Sequence, residues 1–245
     1  MRNRKPKKAN QNTQMTREME IAGARMFGKH LSRQKRTILL LVTLLACAMP
    51  MIMGVRCWRD IPQFVPSGLI GTDGKDDSLP RWVVAFGLPG LMCLLNAIAH
   101  GQLWVHQNRM TLPPTHIRLT GRWGFSIISV IFCSGMIRQS LDQAPLPLSF
   151  LSPCIIGLLL LILGGQMWEC PRDAKFALRF SFTQRSEQAW FTVHRAAGGA
   201  WMTAGLLTIL DVMLTSGLTP FFAALVVAII ASPFVYGLVL KADQK

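Results

Sequence analysis

The stretch Phe150–Trp168 reads FLSPCIIGLLLLILGGQMW and carries no charged residue. A helix needs about 20 mostly apolar residues to cross roughly 30 Å of hydrocarbon, and this run has nearly that length. Lipid offers no hydrogen bonds to a backbone, so a spanning segment must satisfy its own, which a helix does. The same pattern recurs in Thr37–Val55, Trp82–Val105, Gly121–Ile137, Gly198–Ser216 and Thr219–Leu240. Arg122 stands at the border of one run, and Asp211 is the only acidic residue inside any of them. The sequence therefore predicts an all-α integral membrane protein with six transmembrane helices.

Composition agrees. Half of the 245 residues are hydrophobic and 16% are charged, against about 25% charged in a soluble domain. A net charge of +14 would suggest nucleic acid as the partner of a soluble chain. Here the cations lie between the apolar runs, where orientation in a membrane explains them without direct nucleic-acid binding. Twenty-one Lys and Arg fall in the N-terminal tail, the 106–120 loop with Arg122, the 169–197 loop and the C-terminal tail. Five fall in the 56–81 loop and at Arg138. The bias predicts that the N and C termini are both cytoplasmic.

The chain divides accordingly. Residues 1–36 form a basic cytoplasmic tail whose opening, RNRKPKKANQNTQ, reads as disordered. From Thr16 to Arg36 a basic amphipathic surface helix and a simple orientation signal both fit. Residues 37–137 hold three spans (37–55, 82–105, 121–137) and the outer loop 56–81. Residues 138–240 hold three more (150–168, 198–216, 219–240) and the cytoplasmic loop 169–197, before a tail at 241–245. The LLAC run at Leu44–Cys47 imitates a lipoprotein cleavage box. Its leader would be too long, and the apolar run continues to Val55. Pro50 is expected to kink the first helix.

Six cysteines raise metal and disulfide readings. Cys47, Cys93, Cys133 and Cys154 lie in apolar runs, while Cys57 and Cys170 fall near span ends on opposite sides. Without any CxxC a zinc site is not expected, and buried thiols are. A Cys57–Cys154 bridge at the outer face stays open. No cofactor or metal is expected, and no carboxylate pair or nucleophile–base spacing marks an enzyme.

The outer loop reads WRDIPQFVPSGLIGTDGKDDSLPRW from Trp58 to Trp82. Its prolines and glycines exclude a regular helix, and TDGKDD reads as an exposed turn. Asp73, Asp76 and Asp77 invite a calcium reading, but their spacing is not that of an EF-hand loop. The inner loop leads into TQRSEQAWFTVHRAAGG from Thr183 to Gly199. Trp190 and His194, four apart, share one helix face. Trp favours the headgroup level, and Arg195 can reach lipid phosphates, so an interfacial anchor and a docking surface both fit. Gly198, Gly199, Ala200, Thr203, Ala204 and Gly205 then offer small residues for close helix packing.

The two loops together resemble the SdpI-like immunity proteins. Pro62, Val65, Pro66 and Gly74 follow that family's Pro-x-x-(Val/Ile)-Pro-x-His loop and the Gly turn after it, with Gly68 in place of the His. Arg179, Thr183, Trp190, His194, Arg195 and Gly198 follow its cytoplasmic segment and leave W-x-x-x-H-R-x-x-G intact. Asp173, Ala177 and Phe182 depart from the family's Asn, Gly and Trp. The resemblance implies a multi-pass protein of the bacterial cytoplasmic membrane that protects its own cell from a toxic peptide or envelope-directed agent. It also implies an outer-face ligand near Pro62, Val65, Pro66, Asp73 and Gly74. A cytoplasmic repressor would be held at the inner segment.

Polar residues inside the spans support a second class of function. Asn96 and His100 lie one turn apart, and Asp211 lies near the outer end of the fifth run. Such residues glue helices together, reach the interface, or line a path. A small transporter or channel is the alternative function, although no internal repeat or pair of broken helices accompanies it.

Overall fold

A computed structural model describes residues 31–70, 76–108, 115–168, 170–172, 174, 177–180, 183–184 and 186–242. Six rods dominate it. Helix α1 is Arg33–Arg56, and α2 is Leu88–Asn108, preceded by a π-helical turn at Val83–Gly87. Helix α3 starts as Thr115–Ile128, passes a π-helical turn at Ser129–Cys133 and ends as Ser134–Gln139. Helices α4, α5 and α6 are Leu148–Met167, Glu187–Thr215 and Pro220–Ala242. Five are long and apolar enough to cross a membrane, and α6 is apolar over Pro220–Val235.

The helices outrun the apolar sequences that mark them, because polar residues cap them. Ser32 accepts the Lys35 amide at 3.1 Å ahead of α1, and Ser186 accepts the Ala189 amide at 3.4 Å ahead of α5. Helix α5 thus begins at Glu187, well before Gly198. Its 29 residues span about 43 Å, roughly 13 Å more than a hydrocarbon core. The surplus lies at its N-terminal end, where Trp190 and His194 sit. Ser216, left-handed at φ 64°, ends the helix.

Contacts fix the directions of the rods. Arg56, at the end of α1, donates to the carbonyls of Met213 and Leu214 at the end of α5, so these two run parallel. Ser129 of α3 reaches the Cys47 carbonyl of α1 at 2.6 Å. Trp201 of α5 reaches the Ile230 carbonyl of α6 at 3.3 Å. Consecutive helices alternate in direction. One end of the bundle gathers residues 57–70 and 76–82, the 140–147 turn and the Ser216–Thr219 turn. The other gathers the starts of α1, α3 and α5.

Helices α4 and α5 approach closely because glycines meet. A Cβ on Gly164 would lie 2.8 Å from the Gly198 carbonyl oxygen, and one on Gly205 would lie 2.6 Å from the Gly157 carbonyl oxygen. The spacing of seven on each helix keeps both pairs on one seam. Phe150, Cys154, Leu161, Ile209 and Met213 fill the surrounding core at 0% exposure. All six cysteines are free thiols, so the Cys57–Cys154 bridge that the sequence left open is not made.

The 57–82 segment is more than a connector. Phe64–Ile70 (β1) and Asp76–Pro80 (β2) pair antiparallel, with a bulge between Pro66 and Ile70. Two strands alone are marginal in water. This pair is pinned by Ile61 and Val65, both 2% exposed. The Arg81 amide donates to the Gln63 carbonyl at 2.9 Å, and the Arg81 guanidinium lies 4.5 Å from the Trp58 ring centre.

Candidate functional site

Between the β-hairpin and the end of α3 lies a cleft of about 480 Å³, within the range of small-ligand sites. Pro62, Val65 and Pro66 form the hairpin wall, and Phe132 and Met136 form an apolar wall on α3. Gln139, Ser140 and Asp142 make the polar rim. Phe132 belongs to the π-helical turn of α3 and is 57% exposed. The cleft therefore opens beside the apolar flank of the bundle as well as towards its end.

The rim is built by the turn after α3. The amides of Asp142 and Gln143 donate to the carbonyls of Gln139 and Arg138 at 3.1 and 3.0 Å. Asp142 takes φ 54°, a left-handed conformation that Asp tolerates better than most residues. Arg138, 7% exposed, donates from Nε to the Ala144 carbonyl at 3.0 Å and stacks 4.9 Å from the Phe150 ring centre. Arg138 thus holds the turn against α4 and leaves Asp142 as the one charged group among the described residues that line the cleft.

Of the residues that the sequence marks in this loop, Pro62, Val65 and Pro66 come together in the cleft. Asp73 and Gly74 lie outside the described residues, and so does part of the calcium reading. Phe132, Met136, Gln139, Ser140 and Asp142 are absent from the sequence reading. Phe132 and Met136 are indistinguishable there from lipid-facing residues, and Asp142 is a lone acid in a short connection.

The segment before α5 is closed on itself. Trp190, 2% exposed, donates from Nε1 to the Cys170 carbonyl at 2.8 Å. His194, fully buried, accepts the Leu178 amide at Nε2 (3.0 Å) and meets the Trp190 carbonyl at Nδ1 (2.7 Å). The proton is therefore assigned to Nδ1, and both ring nitrogens are engaged. The Trp190 and His194 rings stack 4.2 Å apart. Thr183 accepts the Phe180 amide at 3.1 Å and donates to the Phe180 carbonyl at 2.9 Å. Trp190 and His194 hold the segment to the helix, and Thr183 ties the segment to itself. Arg179 and Arg195 are exposed, and Arg179 donates to the Ala174 carbonyl at 3.2 Å. Gly198 abuts Gly164 and Trp168.

The intramembrane polar residues separate into two groups. Asn96 donates to Thr43 Oγ1 at 2.9 Å, and His100 Nε2 lies 3.4 Å from the same oxygen and 3.2 Å from the Arg122 carbonyl. This network joins α1, α2 and α3; Thr43 is the member that the sequence reading missed. Asp211, fully buried, is not in it. Its carboxylate accepts the Thr219 amide at 2.7 Å and the Thr219 hydroxyl at 3.1 and 3.2 Å. It ties the α5–α6 turn at the start of α6. Among the described residues, no group of three His, Cys, Asp or Glu is placed to hold a metal ion.

Residues 169–237 match the SdpI/YfhL protein family. The match spans less than half of the chain and takes in the segment before α5, all of α5 and most of α6. Trp190, His194, Arg195 and Gly198 lie within it, and the chain is SdpI-like over this stretch. The hairpin cleft lies outside it. No curated protein and no solved structure matches the chain.

Proposed function

We propose that this protein spans the bacterial cytoplasmic membrane six times, with both termini in the cytoplasm. It protects its cell by binding a toxic peptide or another envelope-directed agent in the hairpin cleft at the outer face. The observation that carries this reading is the cleft, half apolar and half polar, at the end of the bundle that the charge bias places outside. Pro62, Val65 and Pro66, which carry part of the family resemblance, form one of its walls. An amphipathic agent already in the outer leaflet would reach Phe132 and Met136 sideways and set a basic group against Asp142.

Signalling to a cytoplasmic repressor is the second part of the proposal. Arg179 and Arg195, exposed on the stapled segment, are the side chains a partner would meet, while Trp190 and His194 keep the segment in shape. The transporter reading is weaker, because Asp211 is committed to Thr219 and the Asn96–Thr43–His100 network ends on a backbone carbonyl.

The test is tolerance in a sensitive bacterium. Expression should raise tolerance to a membrane-active peptide. Met136→Trp, which fills the cleft, and Asp142→Asn, which removes its charge, should lower that tolerance at equal protein abundance. If expression changes tolerance to no peptide or envelope toxin, the protective reading is wrong.

A further inference from the structure

The hairpin wall of the cleft is the edge of a sheet. Residues facing each other in an antiparallel pair alternate. One pair exchanges both backbone bonds, and the next points its N–H and C=O groups away from the partner strand. The Arg81 amide donates to the Gln63 carbonyl at 2.9 Å, so these two form a bonded pair. Along the register Val65 and Leu79 make the next bonded pair, while Phe64–Pro80 and Pro66–Ser78 are the unbonded ones. Both prolines thus stand where the ladder asks for no N–H. It follows that the N–H and C=O of Phe64 and the C=O of Pro66 point away from β2. Among the described residues, none of these three groups has a hydrogen-bond partner.

The cleft runs along this edge. Its lining takes Val65 from one face of the strand and Pro62 and Pro66 from the other and, among the described residues, nothing from β2. Successive side chains of a strand point to opposite faces. A hollow over one face would therefore touch one set only, together with its cross-strand neighbours. β2 packs towards the π-helical turn ahead of α2, which leaves the free edge of β1 on the side of α3. Across the gap stand Phe132 and Met136, one helical turn apart, and Asp142.

An open main-chain edge, an apolar wall and one acid together select a ligand that brings backbone amides of its own. An acyl chain has none, and a helical peptide spends all but those of its first turn internally. We propose that the cleft takes an extended peptide segment, which adds to β1 as a third, antiparallel strand. One ligand residue exchanges both bonds with Phe64, the residue two before it donates to the Pro66 carbonyl, and a Lys or Arg of the ligand meets Asp142. In such strand addition the main chain supplies affinity and the facing side chains supply selectivity. Pro66 and the bulge after it keep the open edge short, which guards it against indiscriminate pairing. The proposal rests on the reading of the hairpin cleft as the ligand site and adds the conformation in which the ligand is held.

The test uses the full chain in phosphatidylcholine nanodiscs. The probe is a fluorescein-labelled Val-Lys-Val-Lys-Val-Lys-Val amide, whose β-branched residues favour an extended chain. Two analogues of equal charge carry N-methyl groups on every valine or on every lysine. A strand pairs along one edge through every second amide. One analogue should therefore bind at least about tenfold more weakly than the parent, and the other within about threefold of it. An alanine–lysine helical peptide of the same charge should also bind at least about tenfold more weakly. Bound probe should slow hydrogen exchange at the Phe64 amide at least about tenfold. Equal binding by the two analogues, unchanged exchange at Phe64 with the probe bound, or tighter binding of the helical peptide would overturn the strand site. If the probe pairs as described but expression protects cells from nothing, the protective reading falls and the strand site stands.

Discussion

Gly198 and Gly199 are neighbours on α5, yet an added methyl group meets different surroundings at each. At Gly198 the new carbon would lie 2.8 Å from the Gly164 carbonyl oxygen and 2.9 Å from the Trp168 amide nitrogen. These are backbone atoms, which cannot rotate away. Relief requires α4 and α5 to part by about 0.5–1 Å, a gap that forfeits a quarter to a half of each dispersion well along the seam. Overpacking of this kind costs about 1–3 kcal/mol. At Gly199 the nearest atom is 3.6 Å away, at the edge of the Trp168 ring, which is ordinary contact. There, replacing Gly by Ala in a helix gains up to about 1 kcal/mol. Gly198→Ala should therefore destabilise by about 2 kcal/mol, while Gly199→Ala should be neutral or stabilising. The assay is reversible unfolding in mixed micelles followed by tryptophan fluorescence, with both variants measured beside wild type. If Gly198→Ala proves as stable as Gly199→Ala, the α4–α5 seam is not packed as described.

Asp211→Ala leaves the Thr219 amide without its carboxylate acceptor and should cost about 1–3 kcal/mol in the same assay; Asp211→Asn, which keeps one acceptor oxygen, should cost less. His194→Ala removes the acceptor of the Leu178 amide, so hydrogen exchange at Leu178 should rise at least tenfold, whereas Arg195→Ala should leave it unchanged. If a cytoplasmic regulator docks here, Arg195→Ala should weaken its co-purification while protein abundance stays normal. A reporter fused after Lys245 should read as cytoplasmic and one inserted at Gly74 as external; an external C-terminus would demand an odd number of spans.

The helices were legible because lipid imposes one rule on an apolar run, and Phe150–Trp168 or Thr37–Val55 can obey it in only one way. Their ends were less legible. The start of α5 depends on Ser186 and Glu187, short-range signals that the apolar run masks. The W-x-x-x-H-R segment was recognisable as a pattern, but not as a staple, because its partners are the carbonyl of Cys170 and the amide of Leu178, and a sequence does not show where backbone groups meet. The glycine seam was half visible. Gly198 and Gly205 stood out in a run of small residues, whereas Gly157 and Gly164 were hidden among leucines. The cleft was least legible of all. Its hairpin wall appeared in the proline spacing, but Met136 and Asp142 become neighbours of Pro66 only through the packing of α3 beside the hairpin. The Asp211–Thr219 pair was not legible, because the two residues meet across a turn whose geometry the sequence left open.

Whether a protective ligand occupies the hairpin cleft can be read by photo-crosslinking in living cells. A photoreactive side chain is placed at Met136, inside the cleft, and in a second strain at Leu94, 58% exposed on the flank of α2. Both strains are challenged with a labelled membrane-active peptide to which expression raises tolerance, with and without excess unlabelled peptide. Position 136 should give a crosslink that excess peptide abolishes, and position 94 only faint, non-competed labelling. Equal labelling from both positions, or none from 136 in cells that remain protected, would contradict occupancy of the cleft.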